Sequence, residues 1–184
     1  MTLIKTISGI RGTIGGKEGD NLTPVDVVRF SSAFGKLIQE RSGKNDPLIV
    51  IGRDARMSGI MVRDLVIATL NGMGIHVIDC GLSTTPTVEM AVEMADANGG
   101  IILTASHNPK EWNALKLLNE KGEFISAEEG KRVLEIAASG SIEFADVDKL
   151  GTSIQDSSYL QKHIASILTL PYVDQERIEK AGLT

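Results

Sequence analysis

Apolar positions along the chain follow two periods in alternation. After Thr23-Pro24, the residues Val27, Phe30, Phe34, Leu37 and Ile38 recur at helical spacing, with threonine placed as an N-cap and proline at the first helical position. That spacing predicts a helix ending near Ser42-Gly43. Pro47 then leads into LIVIG, a short β-branched run of the kind a buried strand uses. A second helix is expected over 58–73, capped by Ser58 and apolar on most of its surface, which predicts deep packing. IHVIDC is the next strand. Pro86 opens a third helix whose Val88, Ala91, Val92 and Ala95 form one stripe. GGIILTA and ALKLLN complete the strands, NEKGEF reads as a reversing turn, and a fourth helix spans roughly 127–138 before Ser139-Gly140.

Strands alternating with helices predict an α/β fold, a three-layer α/β/α sandwich around a mixed, mainly parallel four-stranded sheet. The link over 107–113 is too short for a crossover helix, so the last strand should run antiparallel. Residues 1–140 are expected to form the core. Residues 141–184 would be a polar linker and a C-terminal helix, SSYLQKHIASILTL, lying outside that core.

Composition narrows the class. A chain of 184 residues can bury a substantial core, and 42% hydrophobic with 23% charged residues is ordinary for a globular protein. Nineteen basic against 24 acidic residues leave a net charge of −5, so there is no electrostatic case for nucleic acid. Cys80 is the only cysteine, which excludes an intrachain disulfide and reads as a buried small hydrophobe. No run approaches the ~18 apolar residues of a membrane span, and no signal peptide is visible. The expectation is a soluble, cytoplasmic protein with no membrane partner.

Candidate chemistry gathers in three segments that could meet at the carboxyl edge of the sheet. They are SGIRGTIGG (8–16), with Arg11 between glycines, GRDARMSG (52–59), and TASHNP (104–109). Arginines beside a helix N-terminus suit phosphate. The plainer alternative has Asp54 pair with Arg53 or Arg56 and brace its loop. A serine-hydrolase pairing of Ser106 with His107 is disfavoured, because chain neighbours point to different sides and no G-x-S-x-G elbow is present. Lys116 shares a strand face with Ala114 and Leu118, an odd place for a lysine without a partner. His76 and His163 lie outside every motif and read as structural.

TASHNPKEWNALK resembles the active-site serine loop of the α-D-phosphohexomutases, the superfamily of phosphoglucomutase, phosphomannomutase and phosphoglucosamine mutase. SGIRG is similar to its N-terminal signature, and GRDARMSG to its G-R-D-x-R-x-S-G segment; the likeness covers essentially the whole chain as the first of four domains. The resemblance implies that Ser106 is carried as a phosphoserine and donates its phosphoryl group to a hexose monophosphate. The bisphosphate intermediate then turns over and returns its other phosphate to the serine. It makes His107 and Lys116 catalytic candidates for proton transfer or charge stabilisation. Arg11, Asn108 and Asn113 become candidates for contacting phosphate or substrate, the two asparagines first of all for holding the loop. Mg²⁺ is implied, with the Ser106 phosphoryl oxygens as its ligand here and its main carboxylates in another domain.

Two departures stand out. KTISGIRG lacks the usual aromatic lead-in, and Trp112 with Ala114 replaces a commoner tyrosine-asparagine-glycine pattern. Neither an Asp-Gly-Asp-x-Asp-Arg metal loop nor a Gly-Glu-x-Ser-Gly sugar loop occurs, and ADVDK reads as linker. The expectation is therefore the first domain of a phosphohexomutase that interconverts hexose 1- and 6-phosphates, glucosamine phosphate among them. It would work with the other domains of the same enzyme and be inactive alone. The alternative is a phosphosugar-binding or scaffold domain without turnover.

Overall fold

The computed structural model describes residues 1–6, 9–44 and 46–182. Its elements run β1 (Ile4–Thr6), β2 (Gly9–Thr13), α1 (Pro24–Ser42), β3 (Leu48–Arg53), α2 (Gly59–Gly72), β4 (His76–Leu82), α3 (Thr85–Met94), β5 (Gly99–Leu103), β6 (Trp112–Leu118), α4 (Ala127–Ser139), β7 (Ser153–Gln155), α5 (Tyr159–Leu168) and α6 (Gln175–Lys180). The caps explain several boundaries. Thr23 and Asp26 form a reciprocal capping box at the start of α1, as Ser126 and Glu129 do for α4. Gly43 closes α1 in the left-handed conformation. Ser58 stands at the N-cap of α2, yet its hydroxyl makes no cap bond there and accepts from Asn113 Nδ2 at 2.9 Å instead.

The sheet has seven strands in the order β1-β2-β6-β5-β3-β4-β7, not four. Strands β5, β3, β4 and β7 pair in parallel, while β6 is antiparallel to both β5 and β2, and β1 is antiparallel to β2. The expected antiparallel turn from β5 into β6 is present. The three additional strands were hidden for physical reasons. β2 is the glycine-rich signature itself, whose composition suggests a loop; it is a strand because Ile10 turns into the core and Arg11 turns out. Ser8, where that signature begins, lies outside the described residues. β1 and β7 are three residues each and wholly exposed, so no apolar alternation marks them.

Alternate strand residues feed two hydrophobic clusters, one on each face. Ile49, Ile51, Ile101, Leu103, Leu115 and Leu117 pack with α1, α2 and α4, whereas Val50, Ile102 and Leu118 pack with α3 and α5. Each fully buried aliphatic or aromatic side chain contributes about 1.5–3 kcal/mol. Helix α2 is less immersed than its sequence suggests: Val62, Val66 and Leu70 are buried, but Ile60 and Met61 face outward. Helix α5 was expected outside the core. Tyr159 instead enters the second cluster, and His163 Nδ1 lies 3.1 Å from Thr87 Oγ1 on α3. The charged tail after Pro171 adds the short helix α6.

Candidate active site

At the end of β5 the chain stays buried through Thr104 and Ala105 and then surfaces at Ser106. Ser106 has φ +56°, in the left-handed region, which a residue with a Cβ adopts only when its surroundings demand it. The loop returns tightly, with the Asn108 N–H donating to the Ala105 carbonyl at 3.1 Å and the Trp112 N–H to the Pro109 carbonyl at 3.0 Å. β6 then runs back beside β5, and β2 pairs on its far side, placing Gly9 opposite Lys116 and Arg11 opposite Ala114.

This arrangement leaves a cleft of about 350 Å³. Arg11 and Thr6 contribute from β2 and β1, Ser106, His107 and Asn108 from the loop, and Lys116 from β6. No carboxylate is among its described lining residues. Among the described residues neither Arg11 nor Lys116 forms an ion pair, although Lys116 Nζ sits 5.8 Å above the Phe124 ring. An acidic chain thus carries a local cleft whose lining includes two cations without an ion-pair partner among the described residues and a serine. That is an environment for an anion.

Five of the six residues singled out by sequence come together in the cleft: Arg11, Ser106, His107, Asn108 and Lys116. Asn113 does not. It is fully buried, donates to Ser58 Oγ and accepts the Ala114 N–H at 2.8 Å, so both ends of its amide are engaged and it braces the start of α2 against β6. The geometry also revises the Ser106–His107 relation. The left-handed turn brings Ser106 Oγ and His107 Nδ1 to 3.5 Å, where extended or helical neighbours would be turned apart. That separation is at the outer limit of a hydrogen bond and can tighten when a ligand binds.

Sequence reasoning missed two participants. Thr104 donates its hydroxyl to Asp54 Oδ2 at 2.6 Å and accepts the Ser106 N–H at 2.9 Å. Arg56 pairs with Asp54, as the plainer reading of that motif allowed, and also reaches across to the serine loop. Its appearance in GRDARMSG was the only available signal, because its partners lie some fifty residues away in the chain.

For Mg²⁺ the residues do not form a site. Among the described residues no group of three or more His, Cys, Asp or Glu could hold a metal. The carboxylate joined to the serine loop, Asp54, is already engaged by Arg56 and Thr104.

Comparison with known proteins points one way. Residues 3–143 match the family described as phosphoglucomutase/phosphomannomutase, alpha/beta/alpha domain I. A phosphoglucomutase/phosphomannomutase of Thermococcus kodakarensis is 36% identical over 171 residues, covering 92% of this chain and 37% of that relative. A phosphoglucosamine/phosphogalactosamine mutase of Sulfurisphaera tokodaii is 31% identical over 173 residues, 94% of this chain and 36% of its own length. The chain spans about a third of the length of these curated relatives. A crystal structure of a phosphoglucomutase/phosphomannomutase family protein from Burkholderia thailandensis has a TM-score of 0.69 at 22% identity, over 86% of this chain and 34% of that one, a likeness of fold. No described helix is long and apolar enough to cross a membrane.

Proposed function

Because the chain belongs to the phosphoglucomutase/phosphomannomutase family through domain I, we propose that it carries the phosphoserine of a phosphohexomutase, with Ser106 as the carrier. The observation that supports this most directly is the serine in a cleft with Arg11 and Lys116 and with no carboxylate among its described lining residues. Phosphoryl transfer requires mainly positioning and neutralisation of charge spread over the phosphoryl oxygens. The two cations of the cleft supply that neutralisation, and the loop supplies the position.

In the forward step a hydroxyl oxygen of a hexose monophosphate bonds to phosphorus as the Ser106 Oγ–P bond breaks; the hydroxyl proton leaves to a base, and Ser106 Oγ takes up a proton as it departs. In the return step Ser106 Oγ attacks the other phosphate of the bisphosphate, His107, with Nδ1 3.5 Å away, is placed to take the serine proton, and the sugar oxygen leaves phosphorus and takes up a proton to become a hydroxyl. Lys116 and Arg11, as cations, hold the phosphoryl oxygens; Asn108 supports the loop and is available to substrate. The carboxylates that would complete a Mg²⁺ site are not on the described residues, and no step here runs through the metal. In domain terms, residues 1–140 form the catalytic-loop domain and 141–184 lead towards further domains of the same enzyme, in the cytoplasm. The relatives act on both neutral and amino sugars by name, so the hexose is left at the class of hexose phosphates, glucosamine phosphate included.

The test is incubation with glucose 1,6-bisphosphate followed by intact mass and peptide mapping. Phosphate should appear on Ser106. Phosphate confined to another position such as Ser58 would overturn the assignment, and tight binding of hexose phosphate without any transfer would favour a phosphosugar-binding domain instead.

A further inference from the structure

Arg56 occupies all five N–H donors of its guanidinium within the chain. Nε–H donates to Asp54 Oδ2 at 3.0 Å. Nη1 donates to the carbonyls of Pro109 at 2.8 Å and Trp112 at 3.0 Å, and Nη2 to those of Ser106 at 2.7 Å and Asn108 at 2.9 Å. Its side chain is 10% exposed, and it does not line the cleft. A guanidinium so engaged has no donor left for a ligand, so a direct phosphate-binding role for Arg56 is excluded.

The same network holds the other side of Ser106. Asp54 Oδ2 accepts the Thr104 hydroxyl, and Thr104 Oγ1 accepts the Ser106 N–H. Asp54 itself is fixed to Arg56 through both its carboxylate oxygens, Oδ1 accepting the Arg56 N–H at 3.1 Å. The Ser106 carbonyl is held by Arg56 directly, and its amide is held by Arg56 at two removes. Between these two anchors lies the left-handed backbone at φ +56°. A strained conformation of this kind persists only where neighbours over-determine it.

We infer that Arg56 is the positioning residue of the serine loop, fixing the backbone of Ser106 so that its Oγ is presented to the cleft of Arg11 and Lys116. This rests on the reading of Ser106 as the phosphoryl carrier. Four carbonyl oxygens are the negative ends of four peptide dipoles. Gathering them on a guanidinium outside the cleft keeps them from an incoming phosphoryl group. Lysine cannot replace arginine here, because a single ammonium has three donors and no planar fork.

The experiment compares the chain with its Arg56→Met, Arg56→Lys and Thr104→Val variants. NMR reads the Ser106 amide-to-Hα coupling and its amide hydrogen exchange, with the Val50 and Ile101 amides of the core strands as internal references. In parallel, mass spectrometry follows the rate of phosphate arrival on Ser106 against the concentration of glucose 1,6-bisphosphate. In Arg56→Met the Ser106 coupling should change and its exchange should quicken by about tenfold, consistent with loss of one net hydrogen bond, while Val50 and Ile101 stay unchanged. Transfer at saturating bisphosphate should slow by about a hundredfold with little change in the half-saturating concentration, since what is lost is positioning. Arg56→Lys should not rescue either readout, and Thr104→Val should reproduce the change at the Ser106 amide. Unchanged coupling and exchange at Ser106 in Arg56→Met, with only a lower Tm, would overturn the inference. If Arg56→Met does not fold, an unchanged Ser106 amide in Thr104→Val overturns it equally. A wild-type chain that never takes phosphate on Ser106 refutes the carrier reading alone, and the NMR measurements still decide the role of Arg56.

Discussion

Ser106 combines the hydroxyl proposed to carry phosphate with an unfavourable backbone, and the two can be separated by substitution. Ser106→Ala should abolish phosphate uptake yet leave stability nearly unchanged, because alanine inherits the same left-handed backbone. Ser106→Gly should also abolish uptake but be more stable than Ser106→Ala by about 1 kcal/mol, since glycine adopts φ +56° without a Cβ penalty. Urea unfolding of the two variants checks this. Lys116, with an aromatic ring and no carboxylate near it, is expected to act on transfer: Lys116→Met should slow phosphate arrival on Ser106 by roughly 10²–10³-fold and move the Tm little. A Tm loss with normal transfer would make it a structural lysine. Cys80 behaves in the opposite way. Burial, with Asp79 and Asp156 nearby, pushes its thiol up to about 12. The unfolded chain releases that proton near 9.0, so from there to about 12 the folded chain keeps a proton the unfolded chain has lost, and this contribution to stability falls as pH rises. Iodoacetamide at pH 8 should therefore label Cys80 in the denatured chain and leave it largely untouched in the native one.

Among the elements, β2 decides whether the cleft has a second wall. Gly9 has φ +149°, and a Cβ there would stand 2.2 Å from the Leu115 carbonyl oxygen on β6. Gly9→Ala should therefore shift β2 off β6, moving Arg11 out of line with Lys116. The expected outcome is weaker binding of inorganic phosphate or hexose phosphate by calorimetry, with the parallel half of the sheet intact by hydrogen exchange. Helices α1 to α5 and the four central strands were legible in the sequence because of their apolar periods, as in Val27–Phe30–Phe34 or Ile49–Ile51. β2 was not, since its five residues carry two glycines and its one buried side chain of any size is Ile10. Motif resemblance picked out five residues that the fold gathers in one cleft. The grip of Arg56 was not, because hydrogen bonds to backbone carbonyls leave no mark on the residues that offer them. Asn113 lies outside the cleft in the bracing role the sequence also offered for it, since a motif position does not say which way a strand residue faces.

For the whole molecule, the described lining of the cleft has cations and a serine hydroxyl but no carboxylate. The 184-residue chain should unfold in one cooperative transition yet give no measurable interconversion of hexose 1- and 6-phosphates, even where Ser106 takes a phosphate. Turnover near that of an intact mutase would show that this unit holds and turns the bisphosphate intermediate unaided. The pairing of β2 with β6 has a further consequence, in time. β3 meets β4 across a single intervening helix, but Gly9 must wait for Lys116 and Arg11 for Ala114. Closing so long a loop is slow compared with forming neighbouring βαβ units. On the ribosome, β2 therefore emerges long before β6 exists, with Ile10 uncovered meanwhile. Pulse-labelled exchange during refolding should find the amides of Val50 and Ile78 protected before those of Ile10 and Leu115. The anion cleft is then the last part of the sheet to be born, and a chaperone that shields the N-terminal strand would speed the appearance of the site more than the appearance of the fold.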